Sequence, residues 1–175
     1  MIYKINSQDE IVFVSDDWNA FAADNDGEAV LSPLVLGQPL WRFITDATTR
    51  KLYQQVLVRA RAGHPIRFTY RCDSPTHRRF MEMVVTQHDD GLVEFATRAL
   101  LDEVRPAITL LDAHAARSHD LVRVCGWCNK VSVNNVWKEV EHAIAQLGML
   151  DRSPVPRLTH GICEVCYETV LSTVS

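Results

Sequence analysis

The sequence predicts an α+β protein in which a five-stranded antiparallel sheet with helices on one face is followed by a smaller cysteine-bearing unit. Three observations predict it. Short β-rich runs with hairpin-type connections open and close the first hundred residues, segments of helical spacing lie between them, and four of the five cysteines fall into two C-x-x-C pairs further on.

"IYKI" and "EIVFVS" read as two strands joined by the polar "NSQD". "DDWNAFAADNDG" opens on N-capping aspartates and spaces Trp18, Phe21 and Ala22 for one face of a short helix. Pro33, Gly37 and Pro39 make the next piece a loop. In "WRFITDATTRKLYQQVLVRARAG", Leu52, Tyr53, Val56, Leu57 and Ala60 recur at helical spacing until Gly63 and Pro65 stop the helix. "IRFTYRC", "RFMEMVVTQH" and "LVEFATRAL" then alternate as strands, separated by "DSPTH" and "DDG" turns. From about Leu100 the spacing of Leu101, Val104, Ile108, Leu111 and Ala115 predicts a connecting helix that Pro106 kinks, either packed back on the sheet or forming a dimer. The chain divides into residues 1–100, a connecting helix over 101–122, and a small helical four-cysteine module over 123–175.

Composition excludes several classes of function. Hydrophobic residues at 47% and charged residues at 23% are ordinary for a folded soluble chain, and a formal charge of -4 gives no footprint for nucleic acid. The N-terminus shows no charged leader and apolar run, and no window approaches the roughly 18 apolar residues of a membrane span. A cytoplasmic location is the expectation. In a reducing compartment, closely spaced cysteines serve as metal ligands or redox centres more often than as disulfides.

Cys125 and Cys128 lie in "RVCGWCNK", and Cys163 and Cys166 in "THGICEVC". A two-residue gap lets both thiolates of a pair converge on one ion, and two such knuckles supply the tetrahedral four-thiolate set that zinc prefers. The span between the pairs, residues 129–162, is longer than a ribbon's usual gap. Val136, Trp137, Val140, Ala143, Ile144 and Leu147 make much of it a helix capped by Asn134 or Asn135, followed by extended "DRSPVPRLTH". Three chemistries compete. A structural zinc site accounts for all four cysteines. A dithiol redox pair at "CGWC" resembles the thioredoxin-like motif but leaves the second pair unexplained. A catalytic zinc needs an open position that four thiolates do not leave, and His160 enters as a substitute ligand or as a neighbour of the site.

"CGWCNKVSVNNVWKEVEHAI" with "THGICEVCYETVL" resembles a C-terminal element found after PAS domains in bacterial signalling proteins, and "IVFVSDDWNAFA" is similar to the opening strand and first helix of a PAS domain. The resemblance implies a PAS-like sheet of β-β-helices-β-β-β order. It further implies a sensory or scaffolding role, frequent dimerisation, and room for an unidentified small ligand between helices and sheet. It implies no particular ligand. The flavin-attaching motif is absent, Cys72 reads as a small strand residue, and His64 sits at a helix end where haem ligation is not expected.

The remaining candidates read more plainly. Asp16, Asp17, Asp24, Asp26 and Glu28 lack the alternation of a calcium loop and read as caps and solvated acids. His114 and His119 share no helix face with a third ligand. Arg67, Arg71, Arg78 and Arg79 either pair acids within the fold or receive an anionic partner. No phosphate-binding glycine loop or acyl nucleophile motif occurs. The expectation is a noncatalytic signalling or scaffold protein with structural zinc, a homodimer acting through a protein partner; the alternative is a thiol-based redox sensor or oxidoreductase.

Overall fold

Polar residues shape the first hairpin. Ile2–Ile5 (β1) and Ile11–Val14 (β2) pair antiparallel, and Asp9 takes the left-handed conformation (φ 62°) in the turn between them. The structure, a computed structural model, describes every residue except 26, 150–152 and 175. Helices Trp18–Ala23 (α1), Ser32–Val35 (α2, with proline in its first turn) and Ala47–Arg61 (α3) follow. Asp46 caps α3 by accepting the Thr49 backbone N–H at 2.7 Å, and Gly63 (φ 82°) lets the chain turn away after it.

Ile66–Arg71 (β3), His77–Gln87 (β4) and Val93–Val104 (β5) complete an antiparallel sheet of order β2-β1-β5-β4-β3. Alternation sends Ile66 and Phe68 of β3, Met83 and Val85 of β4, and Val93 and Phe95 of β5 into one core. There they meet Leu52, Val56, Leu57 and Ala60 of α3.

The connecting helix expected over residues 101–122 is absent. β5 instead runs on to Val104, with Leu101 opposite Phe80, Asp102 opposite Arg79 and Glu103 opposite Arg78. Opposite charges face each other across this ladder, with Arg79 Nε 3.2 Å from Asp102 Oδ2, and the pairing overrides the helical spacing. The supposed stripe separates: Leu101 and Val104 are exposed, whereas Ile108 is buried in a different core. After Pro106 and a single turn at Thr109–Leu111, the chain enters strand Arg117–Cys125 (β6).

The C-terminal part is not a helical module either. β6 joins Val131–Val133 (β7), Val136–Lys138 (β8) and Val155–Gly161 (β9) in a second sheet of order β8-β7-β6-β9, with β9 parallel to β6 and the other pairs antiparallel. Asn134 and Asn135 do not cap a helix. Both take positive φ (51° and 63°), as a two-residue primed hairpin turn demands, so Trp137 falls on a strand and helix Val140–Gln146 (α4) starts later than the spacing suggests. The extended reading of the following segment holds for Val155–Gly161; Asp151 and Arg152 lie outside the described residues. Helix Glu164–Val174 (α5) follows β9.

Two cores result, and they do not divide at residue 123. Ile108, Leu110, Val124, Val131, Val133, Val140, Ala143 and Val155 form the second. Cys125, Trp127, Cys163, Val170 and Val174 belong to the first, with the five-stranded sheet and α3. No helix among the described residues is long and apolar enough to cross a membrane.

Candidate metal centre

Parallel pairing of β6 and β9 builds the site. Cys125 is the last residue of β6 and lies opposite Gly161, the last of β9, so both C-x-x-C segments leave the sheet at the same end. A parallel pair needs a long crossover, here residues 126–154, which is the physical reason the gap exceeds that of a simple ribbon. The Gly126 N–H donates to the Gly161 carbonyl at 2.8 Å and binds one knuckle to the other. Asn129, left-handed at φ 55°, donates its N–H to the Cys125 carbonyl at 2.9 Å and closes the first loop. Cys163 immediately precedes α5, and Cys166 sits in its first turn, where the helix dipole favours a thiolate.

The sulfurs of Cys125, Cys128, Cys163 and Cys166 all lie within 4.8 Å of one another, with Cys125 and Cys163 buried and Cys128 and Cys166 partly so. Cys128 Sγ and Cys163 Sγ are 3.8 Å apart. A tetrahedron with metal–sulfur arms of about 2.3 Å has edges of about 3.8 Å. All four cysteines are free thiols. The Cys163 N–H lies 3.4 Å from Cys125 Sγ, an amide donating to sulfur as thiolate sites require.

Protonation is shared unevenly. Hydrogen bonds from the Cys128 and Cys166 thiols hold Cys125 low, whereas the hydrogen bond to Cys125 raises both Cys128 and Cys166. One thiolate therefore forms readily and its neighbours resist. A divalent cation relieves that crowding, and the donor set fits zinc or another thiophilic ion.

Trp127, between Cys125 and Cys128, ties the site to the first core. Its indole packs 5.0 Å from the Phe68 ring and 5.6 Å from Tyr53 (centroid distances), and its carbonyl accepts the Arg71 N–H at 2.7 Å, extending the edge of β3. Trp137 donates its Nε1–H to Glu164 at 3.2 Å and lies under the Arg123 guanidinium, which sits 4.9 Å from its ring centroid.

His160 lies exposed on β9 and is not among the converging side chains. His64 is exposed at the end of α3. Cys72 lies one residue past β3, and burial pushes its thiol up, away from reactivity. The acidic run forms no metal-ligating group among the described residues, and Asp26 lies outside them.

Sequence reasoning missed the partners of the arginines. Arg71 pairs with Asp73, whose side chain is fully buried, and with Glu139; Arg105 Nη1 lies 3.2 Å from Asp73 and 3.1 Å from Glu141; Arg78 lies 2.8 Å from Glu141. Glu139 and Glu141 stand at the start of α4, so this network joins the β3–β4 turn to the second sheet. Arg67 and Arg98 share Glu82 at 2.7 Å each. Charge balance was legible in the sequence, but partners 63 and 68 residues away were not. Neither the models of known protein families nor the curated proteins contain a match to this chain.

Proposed function

We propose that Cys125, Cys128, Cys163 and Cys166 hold one structural zinc ion, and that the chain is a noncatalytic, PAS-like sensor or scaffold protein of bacterial signalling type. The observation that carries the zinc reading is the convergence of four free thiols from two knuckles at tetrahedral spacing. Four protein ligands close the ion's coordination, which favours a fastening role over catalysis. The sensor reading is supported by the strand–strand–helices–three-strand order that the resemblance implies. It is supported also by an apolar cavity of about 210 Å³ between helices and sheet, walled by Tyr3, Ile11, Trp18 and Leu40, with room for a small ligand. Signal output then passes through protein contacts, in a homodimer and to a signalling partner, from a cytoplasmic location. The test is purification under reducing conditions with metal analysis and a survey of turnover. One zinc per chain and no turnover is expected, and robust turnover of a metabolite by the zinc-loaded protein contradicts the noncatalytic reading.

A redox reading draws on one further observation: Cys128 and Cys166 are partly exposed beside a cavity of about 190 Å³. It predicts that hydrogen peroxide expels zinc and forms disulfides at low molar excess. Retention of zinc under that treatment excludes it.

A further inference from the structure

Helix α3, with sequence ATTRKLYQQVLVRAR, carries four cations and no acid. The fold absorbs two of them. Arg50 donates to the carbonyls of Trp41 and Ile44, and Arg61 reaches Asp9 at 2.6 Å. Lys51 and Arg59 make no ion pair with a described residue. Both line a groove of about 530 Å³ where α5 packs against α3.

The groove joins this unspent charge to an apolar strip. Lys51, Gln54, Gln55 and Val58 follow the three- and four-residue spacing of one helix face, and Leu171 and Val174 of α5 form the facing wall. Val58 is 69% exposed, a large apolar side chain left in water beside the two cations. No acid lines the groove; Glu164 and Glu168 of α5 wall a separate cavity next to Thr48. In a chain of formal charge -4, this local excess of positive charge favours an anionic partner. Lys51 and Arg59 stand about 12 Å apart along the helix axis, too far to converge on one compact anion. Two cations are also few for a polyanion, whose binding draws on many phosphate contacts. An apolar strip with a cation toward each end instead matches the helix-in-groove mode of recognition.

We propose that the groove between α3 and α5 docks an acidic amphipathic helix of a protein partner, with aliphatic side chains against Val58 and Leu171 and carboxylates two turns apart on Lys51 and Arg59. Output through a protein partner is the reading given above, on which this rests; the groove adds where that partner sits and what it carries.

The probe is a synthetic peptide of about 18 residues, long enough to hold a helix, with a leucine strip and glutamates two turns apart. A comparison peptide carries lysines in place of the glutamates. Each is titrated into the methyl-labelled full-length chain. The acidic peptide is expected to shift the Val58, Leu171 and Val174 methyl signals saturably, and the lysine peptide to bind at least tenfold more weakly. Lys51→Glu with Arg59→Glu should weaken the acidic peptide about tenfold and strengthen the lysine peptide. Val58→Asp, at a position exposed in the free chain, should weaken the acidic peptide to a similar degree. Unmoved methyl signals, or equal binding of the two peptides, overturn the groove. Shifts of the same signals by single-stranded DNA or phosphatidylglycerol vesicles but not by the peptide overturn it in favour of a polyanion. Loss of a dimer in native mass on introducing Lys51→Glu with Arg59→Glu, without peptide, overturns it in favour of a second copy. Each of these results leaves the zinc and turnover measurements, and with them the sensor reading, intact.

Discussion

At the scale of single residues, the four cysteines and Trp127 divide the work of one contact. The thiols converge, and the tryptophan between two of them plugs the first core beside Phe68 and Tyr53. Replacing any one of the four by serine is expected to lower zinc retention by orders of magnitude, whereas Cys72→Ser should leave the metal content unchanged; a chromogenic chelator assay reads both. Trp127→Ala should cost about 3–5 kcal/mol in denaturant unfolding, the usual range for deleting a large buried aromatic side chain. The convergence of the four cysteines was legible in the sequence because the C-x-x-C spacing is set by local backbone geometry. The burial of Trp127 was not, because it depends on where β3 places Phe68, some sixty residues away.

Between elements, pairing partners decided what periodicity could not. Leu101, Val104 and Ile108 sit at helical spacing, but β4 offers Phe80, Arg79 and Arg78 as an aligned ladder, so the segment extends β5. Asn134–Asn135 similarly reads as a helix cap until β7 and β8 are seen to need a tight turn. The first hundred residues were easier because their strands alternate and their turns carry Asp and Gly. The join between the β3–β4 turn and α4 rests on Asp73, whose buried carboxylate serves both Arg71 and Arg105, themselves mostly buried. Asp73→Ala removes the fully buried partner that two guanidinium groups share, leaving Arg71 only Glu139 and Arg105 only Glu141 as acids, and should cost about 3 kcal/mol. Glu139→Gln removes a partner that is one-third exposed and should cost about 1 kcal/mol. Denaturant midpoints of the two variants, side by side, test that ordering; equal losses would mean that Asp73 is not the centre of the network.

At the scale of the molecule, the second sheet is held to the first by three devices: the acid–arginine network, the Trp127 plug, and α5, whose Val170 and Val174 enter the same core. The two cysteine pairs meet at this join, so a zinc ion held there, as proposed, would act as a clasp between halves and not as a staple inside a small independent module. Both halves should therefore unfold in one transition when zinc is bound. Chelation should lower the melting temperature by about 5 to 10 °C, the shift expected from losing a ligand present at roughly a hundredfold excess over its dissociation constant in a chain of this length. The most direct measurement is the native mass of protein purified under reducing conditions. The account predicts one zinc ion per chain with all four knuckle cysteines protected from alkylation. A metal-free chain carrying a Cys125–Cys128 disulfide would contradict it.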